Sequence, residues 1–189
     1  MSSRLKLALG SAVFLILLVT AGIYLRRMSV RPVRVLPSTG TFSAFSLPDA
    51  SGRMWRNADL RGSIWIASSL PSSCSSCAVT ELKMADLQTS LEKAREVRLV
   101  SFVSDPALRD APRLSELARE FGARPGKWIF LSGSGGSVPE GRALLIDTEG
   151  RIRGGFEVSS PEFSSDVLDA VGDLMREHSE GQTPPSSSP

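Results

Sequence analysis

Residues 64–91 read IWIASSLPSSCSSCAVTELKMADLQTSL, and the order of features in that stretch decides the fold. Ile64 to Leu70 is a short, apolar, β-rich run of the kind that forms a buried strand. From Cys77 onward the spacing changes. Cys77, Thr80, Met84, Leu87, Leu91 and Ala94 recur at steps of 3, 4, 3, 4 and 3, which is the stripe of an amphipathic helix. The two cysteines of the chain, Cys74 and Cys77, stand as Cys-Ser-Ser-Cys between the strand and the helix.

That position gives the pair its chemistry. The free N–H groups and dipole of a helix amino terminus stabilise a thiolate, lowering a cysteine pKa from about 8.5 into a range of roughly 3.5 to 7.5. Cys74 is thereby the better nucleophile. Cys77 continues the buried stripe and is the inward, resolving partner. A structural zinc needs four ligands, whereas the sequence has no second cysteine pair and its sole histidine, His178, stands at the edge of the carboxyl-terminal tail. A purely structural disulfide is the bland alternative and stays open at this point.

Outward from this stretch, Val97–Val103, Ala143–Asp147 and Arg151–Val158 are further β-rich runs, Trp128–Leu131 is a fifth, and Thr148-Glu149-Gly150 closes a hairpin. Leu114, Leu117, Ala118 and Phe121 mark a second helix; Phe163, Val167, Val171 and Leu174 mark a third, with Ser160 as its cap and Pro161 in its first turn. The expected architecture is α/β: a thioredoxin-like fold with a central mixed sheet and helices on both faces, preceded by one amino-terminal transmembrane helix.

The ends of the chain are of a different kind. Residues 7–25 (LALGSAVFLILLVTAGIYL) are uncharged and mostly apolar, long enough to cross a hydrocarbon layer of about 30 Å. The alternative is a signal peptide cleaved after Val19-Thr20-Ala21. Residues 1–6 are expected in the cytoplasm, 26–40 as a linker, 41–178 as the folded domain and 179–189 (SEGQTPPSSSP) as a disordered tail. A dithiol whose disulfide persists belongs in an oxidising space, so the domain is expected to face the periplasm or another extracytoplasmic side of the cell (inner) membrane. Six of the 22 basic residues precede the first acid, Asp49, leaving 16 against 20 acidic side chains and a net charge of −4 for the remainder. That balance argues against nucleic-acid binding.

Taken in order, a set of short motifs resembles the SCO/SenC group of thioredoxin-like proteins. They are Phe45-Ser46-Leu47 with Gly52; Leu60-Arg61-Gly62; the cysteine segment with Glu81-Leu82; Ser104-Asp105-Pro106 with Arg109-Asp110; Phe121-Gly122; Lys127-Trp128 with Leu131-Ser132-Gly133; and Leu145-Ile146-Asp147 with Gly150. The likeness runs from Thr41 to Val158. It implies copper delivery and thiol redox chemistry in assembly of the copper centre of cytochrome c oxidase, with a thiol or copper-site protein such as an oxidase subunit as partner. Three features depart from that family's pattern. Its members place three residues between the cysteines and a proline after the second, whereas here two serines separate them and Ala78 follows. They carry a helix before the final hairpin, and then a histidine that completes a Cys, Cys, His copper site. Here Gly133 to Glu140 (GSGGSVPE) takes the place of both, with Pro139 or Glu140 near the histidine's position.

Three functions compete on these residues. The leading one is a thiol:disulfide oxidoreductase, in which Cys74 attacks a substrate sulfur and Cys77 resolves the mixed disulfide. The second is a Cu(I) metallochaperone using Cys74 and Cys77 alone, since two soft thiolates suit Cu(I). The third is a non-catalytic interaction domain that kept the fold. Asp105 and Asp110 read as a loop residue and a helix cap; Gly133, Gly135 and Gly136 read as a shortened connection rather than a phosphate loop; and Trp55, Trp65 and Trp128 read as packing residues.

Overall fold

The structure is a computed structural model that describes residue 20 and residues 36–71, 77–135 and 138–181. The apolar run 7–25, apart from Thr20, lies outside the described residues, as do Cys74, Gly136 and residues 182–189. Among the described residues no helix is long and apolar enough to cross a membrane.

The elements are β1 (Gly40–Thr41), β2 (Ser46–Pro48), β3 (Met54–Arg56), α1 (Asn57–Leu60), β4 (Ile64–Leu70), α2 (Cys77–Ser90), β5 (Val97–Val103), α3 (Ala111–Glu120), β6 (Trp128–Ser132), β7 (Arg142–Ile146), β8 (Arg151–Glu157) and α4 (Phe163–Gly181). Six strands form a mixed sheet in the order β1-β8-β7-β4-β5-β6, while β2 and β3 pair separately. β4 runs parallel to β5, and β5 parallel to β6; β7 joins the other side of β4 antiparallel. The sheet is the α/β arrangement expected from the sequence, and β4 and β5 begin and end at the expected residues.

The helices are distributed otherwise than expected. The crossovers β4-α2-β5 and β5-α3-β6 step across the sheet in the same direction, and parallel crossovers are right-handed, so both helices land on one face. Met84 and Leu87 of α2, Leu91 just after it, Leu114 of α3, and Phe163, Val167, Val171 and Leu174 of α4 all pack into one core with Ile64, Ile66, Leu99 and Val103. On the other face, among the described residues, the only helix is the four-residue α1, and Phe42, Trp55 and Leu60 cover Trp65, Ala67, Val100, Phe102 and Ile146. Strand alternation assigns each residue to its side, since successive side chains point to opposite faces.

Two ends were placed differently by the sequence. The final segment of the expected linker belongs to the sheet edge: Gly40 pairs with Ile152, and Leu36 O accepts from Arg153. At the other end α4 continues to Gly181, so Ser179 and Glu180 are helical. Helix caps follow the local sequence. Asp110 Oδ1 accepts from the Arg113 N–H at 2.8 Å and caps α3, whereas Ser160 Oγ accepts from the Glu162 N–H at 3.2 Å in a turn before α4 begins at Phe163, so Ser160 and Pro161, expected as the cap and in the first turn of that helix, precede it. Asp105 closes its own turn by accepting from Ala107 N–H.

The shortened connection after β6 seats its backbone on the core. A Cβ on Gly135 would lie 2.5 Å from the Phe102 ring, so only glycine permits that approach. Phe102 is itself stacked on Phe42 at 5.7 Å between ring centroids.

Candidate functional site

In parallel α/β sheets the strands deliver their following loops to the carboxyl edge, where ligands and reacting groups gather. Here β4 ends at Leu70, β5 at Val103 and β6 at Ser132, side by side. Leu70 O accepts from the Ser104 N–H at 3.0 Å, Gly133 N–H donates to Val103 O at 2.8 Å, and Ser132 Oγ donates to Arg109 O at 2.8 Å. These bonds tie together the three loops that leave this edge.

The cysteine segment leaves the same edge. Cys77 is the first residue of α2, at the amino terminus where the dipole favours a thiolate. Cys74 lies outside the described residues. In the first two turns of α2, Ala78, Val79 and Leu82 are exposed, the last two at 49% and 59%. An apolar strip thus flanks the site on the helix surface.

A copper site with a third, nitrogen donor was the feature missing from the sequence, and the fold shows where the candidates stand. His178, the sole histidine, lines a cavity with Asp147, Arg153 and Glu177 beside Ile64, the first residue of β4. The cysteine loop leaves the last residue of that strand, about 20 Å away at the rise of an extended chain. Glu140 is closer. The antiparallel register that sets Leu144 opposite Ala67 carries the turn before β7 to the end of the sheet where β4 finishes. Among the described residues no three His, Cys, Asp or Glu side chains are grouped as metal ligands.

Beneath the first turn of α2 the structure reveals a polar cluster that sequence reading passed over. Glu81 is fully buried. Its Oε1 lies 3.1 Å from Ser68 Oγ on β4, and its Oε2 lies 2.9 Å from Ser101 Oγ on β5. The two hydroxyls are 2.8 Å apart, and Trp128 Nε1–H donates to Ser101 Oγ at 2.9 Å. Burial pushes the Glu81 carboxyl up to about 8, the two serine hydrogen bonds pulling it back only in part. The signal in the sequence was positional: Glu81 stands four residues after Cys77 on the inward side of the helix, and Ser68 and Ser101 interrupt two apolar strands on one face.

No family profile matches the chain, and no curated protein matches it in sequence. Solved structures do. A SCO1/SenC family lipoprotein from Bacillus anthracis str. Ames superposes with a TM-score of 0.65 at 21% identity, over 76% of this chain and 99% of the other. The fold is that of the SCO/SenC proteins. Arabidopsis thaliana ScoI, solved with copper bound, matches with a TM-score of 0.58 at 20% identity, over 72% and 99% of the two chains. A putative thiol:disulfide interchange protein DsbE from Chlorobium tepidum follows at 0.53 and 20%, over 74% and 99%. The SCO-like fold thus spans nearly the whole of each neighbour, as the order of short motifs led one to expect.

Proposed function

We propose that this chain is a membrane-anchored, SCO-like thiol:disulfide exchange protein that serves assembly of the copper centre of a respiratory oxidase from the extracytoplasmic side. The observation that carries this reading is the placement of Cys77 as the first residue of a helix at the carboxyl edge of a thioredoxin-like sheet. Cys74 supplies the attacking thiolate and Cys77 resolves the mixed disulfide. The exposed Val79 and Leu82 beside the pair suit a polypeptide partner better than a small solute. Both chemistries occur among the structural neighbours: one is a member of the Sco family of cytochrome c oxidase assembly proteins with a disulfide switch, another a ScoI from Bradyrhizobium japonicum with copper bound.

The test is reversible oxidation. Poised in glutathione buffers, the protein should pass between dithiol and Cys74–Cys77 disulfide, and alkylation of the dithiol at mildly acidic pH should label Cys74 first. Cys74→Ser and Cys77→Ser should each abolish the disulfide. Equal or reversed labelling rejects the assignment of roles, and absence of a reversible disulfide rejects the function.

A second reading, transport of Cu(I) as cargo, is favoured by the donor set. Two thiolates satisfy Cu(I), whereas Cu(II) prefers nitrogen-rich tetragonal sites, and His178 stands at the far end of the sheet. Anaerobic titration should load one Cu(I) per reduced chain and none on either serine variant. A long-lived thiolate-to-Cu(II) absorption band would instead require a third ligand, Glu140 being the nearest acid in the chain to the missing histidine's position.

A further inference from the structure

One face of the domain carries cations that its own carboxylates do not neutralise. The guanidiniums of Arg113, Arg124, Arg151, Arg153 and Arg176 are each held by an acidic side chain. Among the described residues, Arg53, Arg56 and Arg98 enter no salt bridge. The two acids of their segment face backbone and indole instead. Asp49 accepts from the Ser51 and Arg53 N–H groups at 2.8 and 3.1 Å and from Trp55 Nε1–H at 2.8 Å, and Asp59 accepts from the Arg56 N–H at 2.7 Å.

A buried indole draws two of these cations together. Trp55 is 5% exposed, with Arg53 Cζ 4.2 Å from its ring centroid and Arg98 Cζ, from β5, at 5.9 Å. The two guanidiniums therefore lie within about 10 Å of each other, close enough to repel at about 0.1 M salt. Strand alternation turns the neighbours of Trp55 outward: Met54, 48% exposed, and Arg56 stand on the solvent side of β3. From Asp49 onward the chain has 16 basic and 20 acidic side chains, so this face is opposite in sign to the domain as a whole. An exposed apolar side chain set among cations suits a layer that is anionic outside and apolar within. The chain itself leads to such a layer, since the apolar run 7–25 ends ten residues before Leu36, at most about 35 Å of extended chain.

We propose that Arg53, Arg56 and Arg98, with Met54 among them, form a docking surface for anionic phospholipid headgroups, a use that depends on the membrane anchor proposed above. The guanidiniums take the lipid phosphates, to which their planar forks donate in pairs. Met54 enters the boundary between headgroups and acyl chains. Trp55 packs on the sheet face opposite to the one that α2, α3 and α4 cover. A domain docked through it turns the exposed Val79 and Leu82 of α2 towards solvent.

The experiment places the full chain in nanodiscs of phosphatidylcholine, with or without phosphatidylglycerol, and follows amide hydrogen exchange over residues 53–57. Exchange there should slow by about tenfold in the anionic discs and recover at high salt. The double variant Arg53→Gln, Arg98→Gln should exchange alike in both discs. Arg56→Glu, at an exposed position, should lose the protection too and keeps the test decisive if the double variant does not fold. Equal wild-type exchange in the two discs, or protection that survives Arg56→Glu, overturns the proposal. Equal protection in detergent from inorganic phosphate or from polyglutamate also overturns it, marking a site for free phosphate or for an acidic polypeptide. Retention in the discs at high salt reads the anchor separately. A chain that washes out refutes the anchor and the docking surface together, whereas a retained chain with no slowed exchange loses the docking surface alone.

Discussion

Replacing Arg153 with methionine should destabilise the domain by about 3–5 kcal/mol, the cost of leaving buried charges without their partner. Arg153 is 6% exposed although it sits on the penultimate strand of the sheet. Its guanidinium donates to Asp147 Oδ2 at 3.0 Å, to Glu177 Oε2 at 2.7 Å, and through Nε to Leu36 O at 2.9 Å. One side chain therefore fastens the hairpin, the last helix and the segment that enters the domain. Methionine keeps the apolar stem but leaves buried Asp147 with the Arg151 guanidinium as its remaining cation and takes the guanidinium away from Glu177 and from Leu36 O. Burial raises the Asp147 carboxyl, yet hydrogen bonds from Arg151 N–H, the Arg151 guanidinium, Arg153 and Glu149 N–H together hold it below the usual carboxylate range. Its contribution is thus present above the ordinary pKa near 3.8 and lost as pH falls below that. Urea unfolding at pH 7 reads the effect. Arg124→Ala, which breaks a pair with Glu92 that is half-exposed on both sides, is the control and should cost about 0–1 kcal/mol. A loss under about 1 kcal/mol for Arg153→Met would show that the network stabilises nothing.

The second large effect concerns pH, and its direction is opposite to that of Asp147. Glu81 is raised in the folded protein from 4.5 to about 8, so between those values the native state holds a proton that the unfolded chain has released. Stability from this group is complete below about 4.5, falls as pH rises, and is gone above about 8, at a slope of up to about 1.4 kcal/mol per pH unit. Urea midpoints measured from pH 5 to 8 should decline by an amount on the order of 3–4 kcal/mol. Glu81→Gln should flatten that decline. Ser68 Oγ, Ser101 Oγ and the Glu81 carboxyl form a ring of three oxygen–oxygen contacts to which the hydroxyls bring two hydrogens; the amide is neutral at every pH and can supply the third. Parallel curves for the two proteins would mean that Glu81 ionises at an ordinary pH, which the buried ring could not survive.

The two effects arise at opposite ends of β4. Arg153 works beside Ile64, where the chain enters the domain, and Glu81 works under the edge from which the cysteine loop departs.

Much of this was legible in the residues. β4 and β5 are continuous apolar runs because both their faces are covered, so their bounds could be read directly at Ile64–Leu70 and Val97–Val103. The cap at Asp110 and the turns at Ser160 and at Thr148-Glu149-Gly150 follow from local chemistry, and Gly150 adopts the positive φ of 85° that this hairpin needs. The face on which each helix lies was not legible. It follows from strand order: β4, β5 and β6 step in one direction, and a right-handed crossover then leaves no choice.

The candidate site divides in the same way. The sequence by itself determined that two cysteines stand between a strand and a helix, because spacing along one chain decides which residue opens the helix. It also determined that the histidine expected by resemblance is replaced by a glycine-rich connection. Only the tertiary structure decided what Glu81 is. Its ring draws on residues 13 and 20 positions away, and the indole that completes it comes from β6. The parallel register that sets Ser68 opposite Ser101 brings these groups together, and no periodicity within one segment encodes it. Local order follows from neighbours in sequence, whereas a buried proton depends on which strands lie side by side.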